Sequence, residues 1–233
     1  MRNIVGINDC MNTFEGDGIP VTRAFPVPAM RENDPFLLFD HFGPIHYEPG
    51  GATGVPAHPH CGFEAITYLL GGEVEHKDSW GGQAAIETGD IQWMTTGSGL
   101  IHSELVTDKF KKSGGEMQGL QIWVNLPQKH KKVKPWYQHI KKNDIPTIDE
   151  GNDVLIKVLV GKVKNISSAV QTYSPVSIFD VQFIKPSLID LDISKNQTVM
   201  VYVIDGELKF HDENQIARKG QMIYFDQSSD MIN

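Results

Sequence analysis

The stretch "MQGLQIWVNL", residues 117–126, decides the fold class because its side chains follow the two-residue period of a β-strand. From Leu120 onward, the apolar residues fall on one face, and the polar residues and the tryptophan fall on the other. The apolar face comprises Leu120, Ile122, Val124 and Leu126, and the opposite face comprises Gln121, Trp123 and Asn125. The pattern predicts a strand with one face packed between sheets and a second face turned to a cavity or to solvent.

Strand-like segments recur along the chain. Short runs rich in Val, Ile, Phe, Tyr and Thr alternate with turns that use many of the 22 glycines and 13 prolines. No stretch has the length and the 3.6-residue period of a dominant helix. We therefore predict an all-β protein of sandwich or barrel type. The strands predicted in the first part of the chain are 19–25, 35–41, 62–70, 72–78, 83–87, 90–95, 101–106 and 117–126.

A second group of strand-like runs begins at about residue 153, after the connecting stretch "NLPQKHKKVKPWYQHIKKNDIP". We therefore predict two β-domains in tandem, at residues 1–135 and 150–233. From residue 153 onward the sequence contains one histidine, His211. Metal ligands are accordingly expected in the first domain only.

Composition argues against several classes of partner. The net charge of −8 disfavours binding to a phosphate backbone, and the basic run "KHKKVKP" at 129–135 is interpreted as a solvated connection. The two cysteines are too few for a disulfide framework. The first residues lack the apolar core of a signal peptide, and no run approaches the roughly 20 apolar residues that span a bilayer. We expect a soluble cytoplasmic protein without direct nucleic-acid or membrane partners.

Two pairs of side chains have the spacing of metal ligands. His58 and His60 stand at i and i+2 in "HPHCGFE", and His102 and Glu104 stand at i and i+2 in "TGSGLIHSEL". Residues at this spacing share one face of a strand, about 6.6 Å apart. Three imidazoles and one carboxylate form a nitrogen and oxygen ligand set that suits Fe(II), Mn(II), Co(II), Ni(II), Cu(II) or Zn(II).

Three further residues have competing interpretations. Glu64 shares the parity of His58 and His60, so it is a candidate fourth ligand or an acceptor for an imidazole N–H. His76 could reach inward, although a position near the surface is favoured. Cys61 has the opposite parity and is expected to be a small buried apolar residue.

These segments together resemble the pirin family. "HPHCGFE" resembles the first cupin motif, and "TGDIQWMTTGSGLIHSE", residues 88–104, resembles the second motif in the form that pirins use. "DPFLLFDHFGP", residues 34–44, and "LQIWVNLP", residues 120–127, also look like pirin signatures. The resemblance is strong over residues 1 to 140 and weak over the remainder.

The resemblance implies a bicupin, that is, two tandem jelly-roll β-barrels, with one divalent metal in the N-terminal barrel. The implied metal is Fe(II), with Mn, Co, Ni, Cu or Zn as alternatives. The implied ligands are His58, His60, His102 and Glu104, which moves Glu64 to an outer position around the metal. The end of the chain, "GQMIYFDQSSDMIN", leads us to expect a C-terminal barrel that is shortened, whether naturally or by truncation.

Some pirins are similar in activity to quercetin 2,3-dioxygenases, which open a flavonol ring with O₂ and release carbon monoxide. The resemblance therefore implies a dioxygenase acting on small aromatic molecules, with Glu104 as the catalytic carboxylate that accepts the proton of the flavonol 3-hydroxyl. The alternative is a non-enzymatic, iron-responsive binding protein or transcription cofactor that acts through a protein partner. The candidate walls of an aromatic pocket are Phe39, Phe42, Phe63, Trp93 and Met94, and the alternative for each is an ordinary position in the β-core.

Overall fold

The computed structural model describes residues 1–16, 18–28, 30, 33–151, 153–210 and 215–232. In this part of the chain the fold is almost entirely β-structure, and the α-helical content is one short helix, α1 (Asp108–Ser113). Two single 3-10 turns occupy Gln128–His130 and Lys142–Asp144. Among these residues, no helix combines the length and apolar character that a bilayer crossing demands.

The strands divide into an earlier and a later group. The earlier strands are β1 (Ile4–Asp9), β2 (Met11–Glu15), β3 (Ile19–Phe25), β4 (Phe36–Tyr47), β5 (Gly54–His60), β6 (Phe63–Gly71), β7 (Glu73–Asp78), β8 (Gln83–Glu87), β9 (Ile91–Thr95), β10 (Leu100–Val106), β11 (Gly115–Asn125) and β12 (Trp136–Ile140). The later strands are β13 (Thr147–Asp149), β14 (Val154–Val160), β15 (Lys162–Val163), β16 (Ile166–Ser167), β17 (Ile178–Phe183), β18 (Leu191–Asp192), β19 (Met200–Tyr202), β20 (Glu207–Lys209), β21 (Ile216–Arg218), β22 (Gln221–Phe225) and β23 (Met231–Ile232).

Two antiparallel sheets form the N-terminal barrel. The larger sheet has the order β12-β9-β6-β11-β4-β3-β2, and the smaller has the order β5-β10-β7-β8. The smaller sheet carries both segments with the predicted histidine ligands, since β5 and β10 are neighbours. Side chains from β10 reach side chains of the larger sheet, so the inner faces of the two sheets surround a common interior.

Both faces of the central strand β11 are used, as its two-residue pattern indicates. Leu120, Ile122 and Val124 are buried on the outer face of the larger sheet. Gln121 and Trp123 line a cavity inside the N-terminal barrel. The period of the sequence therefore separates a packing face from a cavity face.

The outer face of the larger sheet packs against the later part of the chain. The shared apolar cluster joins residues of β6, β9 and β11 to residues that follow β12. It consists of Ile66, Tyr68, Ile91, Trp93, Leu120, Ile122, Val124, Ile145, Leu159, Val160, Val170 and Val176. One continuous core thus joins the two halves and holds the larger sheet in place behind the cavity.

The C-terminal half is built from smaller sheets, which include β13-β14-β17 and β1-β22-β19. The first strand of the chain, β1, therefore pairs inside the C-terminal half, and Ile7 lies opposite Ile223. In the other direction, β12 continues the larger sheet of the N-terminal barrel as far as Ile140. Strand pairing thus connects residues of the predicted first domain, 1–135, with residues of the predicted second domain, 150–233. The limits of the two domains remain a prediction.

Candidate metal centre

Strand pairing brings the two predicted ligand pairs together. In the ladder between β5 and β10, His102 lies directly opposite His58. Pro59 has no N–H to donate, which is tolerated because β5 is the edge strand of its sheet. Gly54 has a φ of +82°, and a Cβ there would lie 2.4 Å from the Glu104 carbonyl oxygen. Glycine at this position therefore allows β5 to approach β10 closely.

His58, His60 and His102 form a compact histidine cluster. One ring nitrogen of each lies within 4.8 Å of the corresponding nitrogens of the other two. The ring centroids are separated by 4.7 Å for His58 and His60, 4.4 Å for His58 and His102, and 4.9 Å for His60 and His102. Three imidazole nitrogens that converge in this way can bind one transition-metal ion.

The hydrogen bonds of the rings leave nitrogen lone pairs available. His58 Nδ1 lies 2.8 Å from the Pro56 carbonyl oxygen, so it donates its proton there and its Nε2 carries the lone pair. His102 Nε2 is buried without a hydrogen-bond partner among the described residues. A buried nitrogen without a partner is rare and requires an explanation. A metal ion bound at Nε2 supplies one, so the residues present fit a metal.

The environment also keeps the rings in the form that binds metals. Burial lowers the pKa of His60 to about 4, with a smaller contribution from repulsion by His58. Burial, with smaller contributions from repulsion by the neighbouring histidines, lowers the pKa of His102 to about 2. Both rings are therefore neutral at neutral pH, as metal binding requires.

Glu104 is two residues beyond His102 on β10, and its carboxylate is held by side chains of the opposite sheet. Oε1 accepts hydrogen bonds from Thr67 Oγ1, at 3.1 Å, and from Gln92 Nε2. Oε2 accepts a longer hydrogen bond, 3.4 Å, from Gln121 Nε2. Within the described residues the close group of ligand atoms consists of the three histidines. The role of Glu104 as the fourth ligand stays a prediction.

The donors to Glu104 belong to a polar row across the larger sheet. Cross-strand pairing places Arg23, Asp40, Gln121, Thr67 and Gln92 next to one another on five successive strands. At the end of the row remote from Gln92, Asp40 accepts hydrogen bonds from Arg23 Nε at 2.8 Å and from a terminal Arg23 nitrogen at 2.6 Å. No motif in the sequence predicted this row. The available signal was a polar residue in an apolar strand, as in "IQWMT" for Gln92.

The histidine cluster and Glu104 border a cavity of about 520 Å³ inside the N-terminal barrel. His58, His60 and Glu104 line it, together with Asp40 and Gln121 of the polar row. The other walls are largely apolar and include Val21, Phe42, Leu69, Val74, Met117 and Trp123. A cavity of this size, with apolar walls and a few grouped polar side chains, is typical of a small-molecule site.

The predicted aromatic walls are confirmed in part. Phe42 lines the cavity, and Phe63 stacks on Trp123 with its ring 5.1 Å from that of His60. Trp93 belongs instead to the core that joins the two halves, and Met94 to a small apolar cluster with Ala65 and Leu100. Phe39 packs on Tyr202, away from the cavity.

The expected position of Glu64 beside the metal is wrong. Glu64 is completely buried, and it accepts hydrogen bonds from Trp93 Nε1, Thr95 Oγ1 and Thr172 Oγ1 at 3.1, 2.8 and 2.6 Å. The physical reason is the turn at Gly62, whose φ of +80° separates β5 from β6 and breaks the parity that the sequence suggested. Glu64 thus serves the contact between the two halves.

Two more expectations are wrong. His76 is completely buried rather than near the surface, because β7 lies inside the smaller sheet, between β10 and β8. Its Nδ1 is 3.4 Å from His102 Nδ1. Cys61 is exposed rather than buried, since it lies in the same turn as Gly62. His211, the histidine of the C-terminal half, lies outside the described residues.

Comparison with known proteins agrees with this geometry. The family model described as Pirin matches residues 18–124. A Pseudomonas aeruginosa protein provisionally named quercetin 2,3-dioxygenase is 37% identical over 232 residues, covering 97% of this chain and 80% of that protein. Human pirin is 37% identical over 195 residues, and the match covers 83% of this chain and 63% of human pirin.

A solved structure resembles the whole described fold. The crystal structure of quercetin 2,3-dioxygenase from Acinetobacter baumannii superimposes with a TM-score of 0.91 at 33% identity, covering 99% of this chain and 81% of that one. Together with the histidine cluster, these relatives imply a bound metal ion. The prediction of an all-β bicupin is confirmed. The chain belongs to the pirin family of cupin proteins.

Proposed function

We propose that this protein is a dioxygenase of the quercetin 2,3-dioxygenase type, which uses a non-haem Fe(II) ion and O₂ to open the ring of flavonol-like aromatic molecules. The observation that carries the proposal is the histidine cluster at the wall of a largely apolar cavity of about 520 Å³. The names of the Pseudomonas and Acinetobacter relatives support the same reaction class.

The proposed ligands are His58, His60, His102 and Glu104. The neutral rings of His60 and His102 and the unpartnered Nε2 of His102 suit a divalent ion. When bound, the metal would supply Lewis acidity, which lowers the pKa of a hydroxyl that it binds. A set of nitrogen and oxygen ligands is compatible with iron, and it is also compatible with the other divalent transition metals.

Glu104 is the proposed proton acceptor for the 3-hydroxyl of a flavonol. Its Oε1 is occupied by hydrogen bonds from Thr67 and Gln92, whereas Oε2 accepts one longer hydrogen bond from Gln121. Oε2 therefore has more capacity to take up the proton. These donors also fix the direction of the carboxylate, so it does not have to reorient during the reaction.

The cavity walls have two tasks in this proposal. Phe42, Leu69 and Met117 exclude water and contact the faces of a flat ring system. Gln121 and Asp40, from the polar row, offer hydrogen-bonding groups to hydroxyls at the edge of such a molecule. The enolate left by proton transfer to Glu104 is electron-rich and reacts with O₂, and ring opening releases carbon monoxide. A largely apolar cavity beside the histidine cluster also favours an enzyme over a protein that acts only through a partner surface.

The test is an anaerobic preparation loaded with Fe(II), assayed for oxygen uptake and carbon monoxide release with quercetin. The wild type is expected to consume O₂ and quercetin in equal amounts. Glu104→Gln is expected to lower the turnover rate by about 10²- to 10⁴-fold, the usual contribution of a general base. Glu116→Gln, at an exposed position on β11, is the control and should retain full activity.

One result would contradict the proposed reaction. If the protein contains one metal per chain and shows no oxygen uptake with quercetin or related flavonols, the proposal of flavonol ring opening is wrong.

A further inference from the structure

We propose that Asp78 and His76 are positioning residues that hold His102 in the tautomer with a free Nε2 lone pair, so that this ring is oriented for a metal before the metal arrives. The inference rests on the proposed function only in taking His102 as a metal ligand. Neither Asp78 nor His76 lines the cavity.

The three side chains are placed by the regular ladder between β10 and β7. His102 lies opposite Asp78, and Glu104 lies opposite His76. His76 Nε2 is 2.9 Å from Asp78 Oδ2, and His76 Nδ1 is 3.4 Å from His102 Nδ1. A chain of hydrogen bonds thus runs from the Asp78 carboxylate to the His76 ring and from there to the His102 ring.

The hydrogen-bonding capacity of each atom fixes the direction of this chain. An ionised carboxylate can only accept, so the proton between Asp78 and His76 belongs to His76 Nε2. In a neutral imidazole the other nitrogen is then an acceptor, so His76 Nδ1 accepts the proton of His102 Nδ1. His102 Nε2 consequently carries the lone pair, and it is the buried nitrogen without a partner.

The far end of the chain is anchored by backbone. Asp78 Oδ1 accepts hydrogen bonds from the N–H of Trp80 at 2.7 Å and of Gly82 at 3.0 Å. Oδ2 is left to face His76. Because the two oxygens have different partners, the carboxylate cannot rotate without losing three hydrogen bonds.

Packing fixes the plane of the middle ring. Tyr137 stacks on His76 with centroids 4.1 Å apart and an interplanar angle of 11°. The same tyrosine hydroxyl lies 3.4 Å from Gln92 Oε1, and Gln92 donates to Glu104. One partly buried aromatic ring, that of Tyr137, therefore contacts both His76, which supports His102, and Gln92, which supports Glu104.

The anchoring of Oδ1 makes Asp78→Asn a sharp test. In that variant the two backbone N–H groups retain the amide oxygen at Oδ1 and direct the amide NH₂ toward His76. His76 Nε2 must then accept, His76 Nδ1 must donate, and His102 must place its proton on Nε2. The variant is almost identical in shape, yet it is expected to block the metal-binding nitrogen.

The experiment compares wild type, Asp78→Asn and His76→Phe, a variant that retains an aromatic ring against Tyr137. The matched control is Asp90→Asn, because Asp90 Oδ2 accepts from His139 Nε2 at 2.8 Å in the same barrel but neither residue belongs to the histidine cluster. Competitive chelator titration with Fe(II) under anaerobic conditions gives metal affinity. Long-range ¹H–¹⁵N NMR of the metal-free proteins gives the tautomer of each histidine.

We expect Asp78→Asn and His76→Phe to bind Fe(II) about 10- to 100-fold more weakly than wild type, the usual effect of losing an outer hydrogen-bond partner of a ligand. Asp90→Asn should bind as wild type does. His102 should carry its proton on Nδ1 in metal-free wild type and on Nε2 in Asp78→Asn.

The outcomes separate this inference from the proposed function. An unchanged affinity and an unchanged His102 tautomer in Asp78→Asn overturn the positioning role even if the wild type binds iron. If the wild type binds no metal, the proposed function fails, and the NMR tautomer of wild-type His102 still decides whether the hydrogen-bond chain exists.

Discussion

The two halves of the molecule fill their interiors differently. The N-terminal barrel contains a cavity lined in part by the buried polar residues Asp40, Thr67 and Glu104, and Gln92 and His102 are buried polar residues of the same barrel. The C-terminal half instead contains an apolar core cluster, which consists of Val199, Val203, Ala217, Ile223, Phe225 and Ile232.

The difference shows how a polar site is maintained inside a barrel. The buried Glu104 carboxylate of the N-terminal barrel accepts hydrogen bonds from Thr67, Gln92 and Gln121 on the facing sheet. Buried polar groups without such partners would be costly. The C-terminal half supplies apolar packing behind the larger sheet, so that the strands carrying the polar row stay in register.

The largest effect that would sharpen this comparison is expected from His102→Ala. Removing one nitrogen of the histidine cluster should weaken divalent metal binding by more than about 100-fold, exceeding the loss typical of an outer-shell partner. The measurement is metal content after dialysis against a competing chelator. His46→Ala is the matched control, since His46 is exposed on β4. Metal retention by His102→Ala equal to that of the control would break the assignment of the cluster.

The next effect concerns the C-terminal half, where a substitution should lower stability and leave metal affinity unchanged. Ile223 is completely buried, so Ile223→Ala is expected to lower the free energy of unfolding by about 2–5 kcal/mol. Metal affinity of the folded protein should not change, because Ile223 lies in the apolar cluster of the other half. Urea titration and chelator competition test the two statements, with Ile166→Ala at an exposed position as control. A fall in affinity at a temperature where the variant is folded would contradict the separation of roles.

The smallest effect is expected at the contact between the halves. His41 on β4 has its Nδ1 2.8 Å from the Tyr202 hydroxyl, and burial lowers the pKa of His41 to about 4, assisted by repulsion from Lys219. Below its ordinary pKa of 6.5 the unfolded chain takes up a proton that the folded protein resists. Stability contributed by this residue is therefore present above pH 6.5 and is lost as the pH falls toward 4.

The measurement is the free energy of unfolding of the metal-free protein at pH 7 and pH 5. His41→Gln should lose less stability over this interval than the wild type, by a difference on the order of 1 kcal/mol. His46→Gln, which changes an exposed histidine, should follow the wild type. Identical pH dependence in wild type and His41→Gln would show that His41 is not a buried neutral group.

The sequence predicted those features that depend on local pattern. The period of residues 117–126 predicted both faces of β11, and the strands at 19–25 and 83–87 have the predicted limits. The i, i+2 spacing also predicted that His58, His60 and His102 would converge, because a strand ladder places such side chains on one face.

Other features depend on contacts between distant segments and could not be read locally. Glu64 was misplaced because the parity argument assumed a continuous strand through the turn at Gly62. The pairing of β1 with β22 joins segments more than 200 residues apart. The sequence signal for the inward position of His76 is its i, i+2 spacing with Asp78, which equals the spacing within the two ligand pairs.

The most direct test of the central claim is a crystal structure of the metal-loaded protein, with anomalous diffraction collected on both sides of the metal's absorption edge. The proposed ligand set predicts one anomalous peak per chain, bonded to a ring nitrogen of each of His58, His60 and His102 and to an oxygen of Glu104. A peak elsewhere, or no peak in a crystal whose protein solution contained one metal per chain, would contradict it.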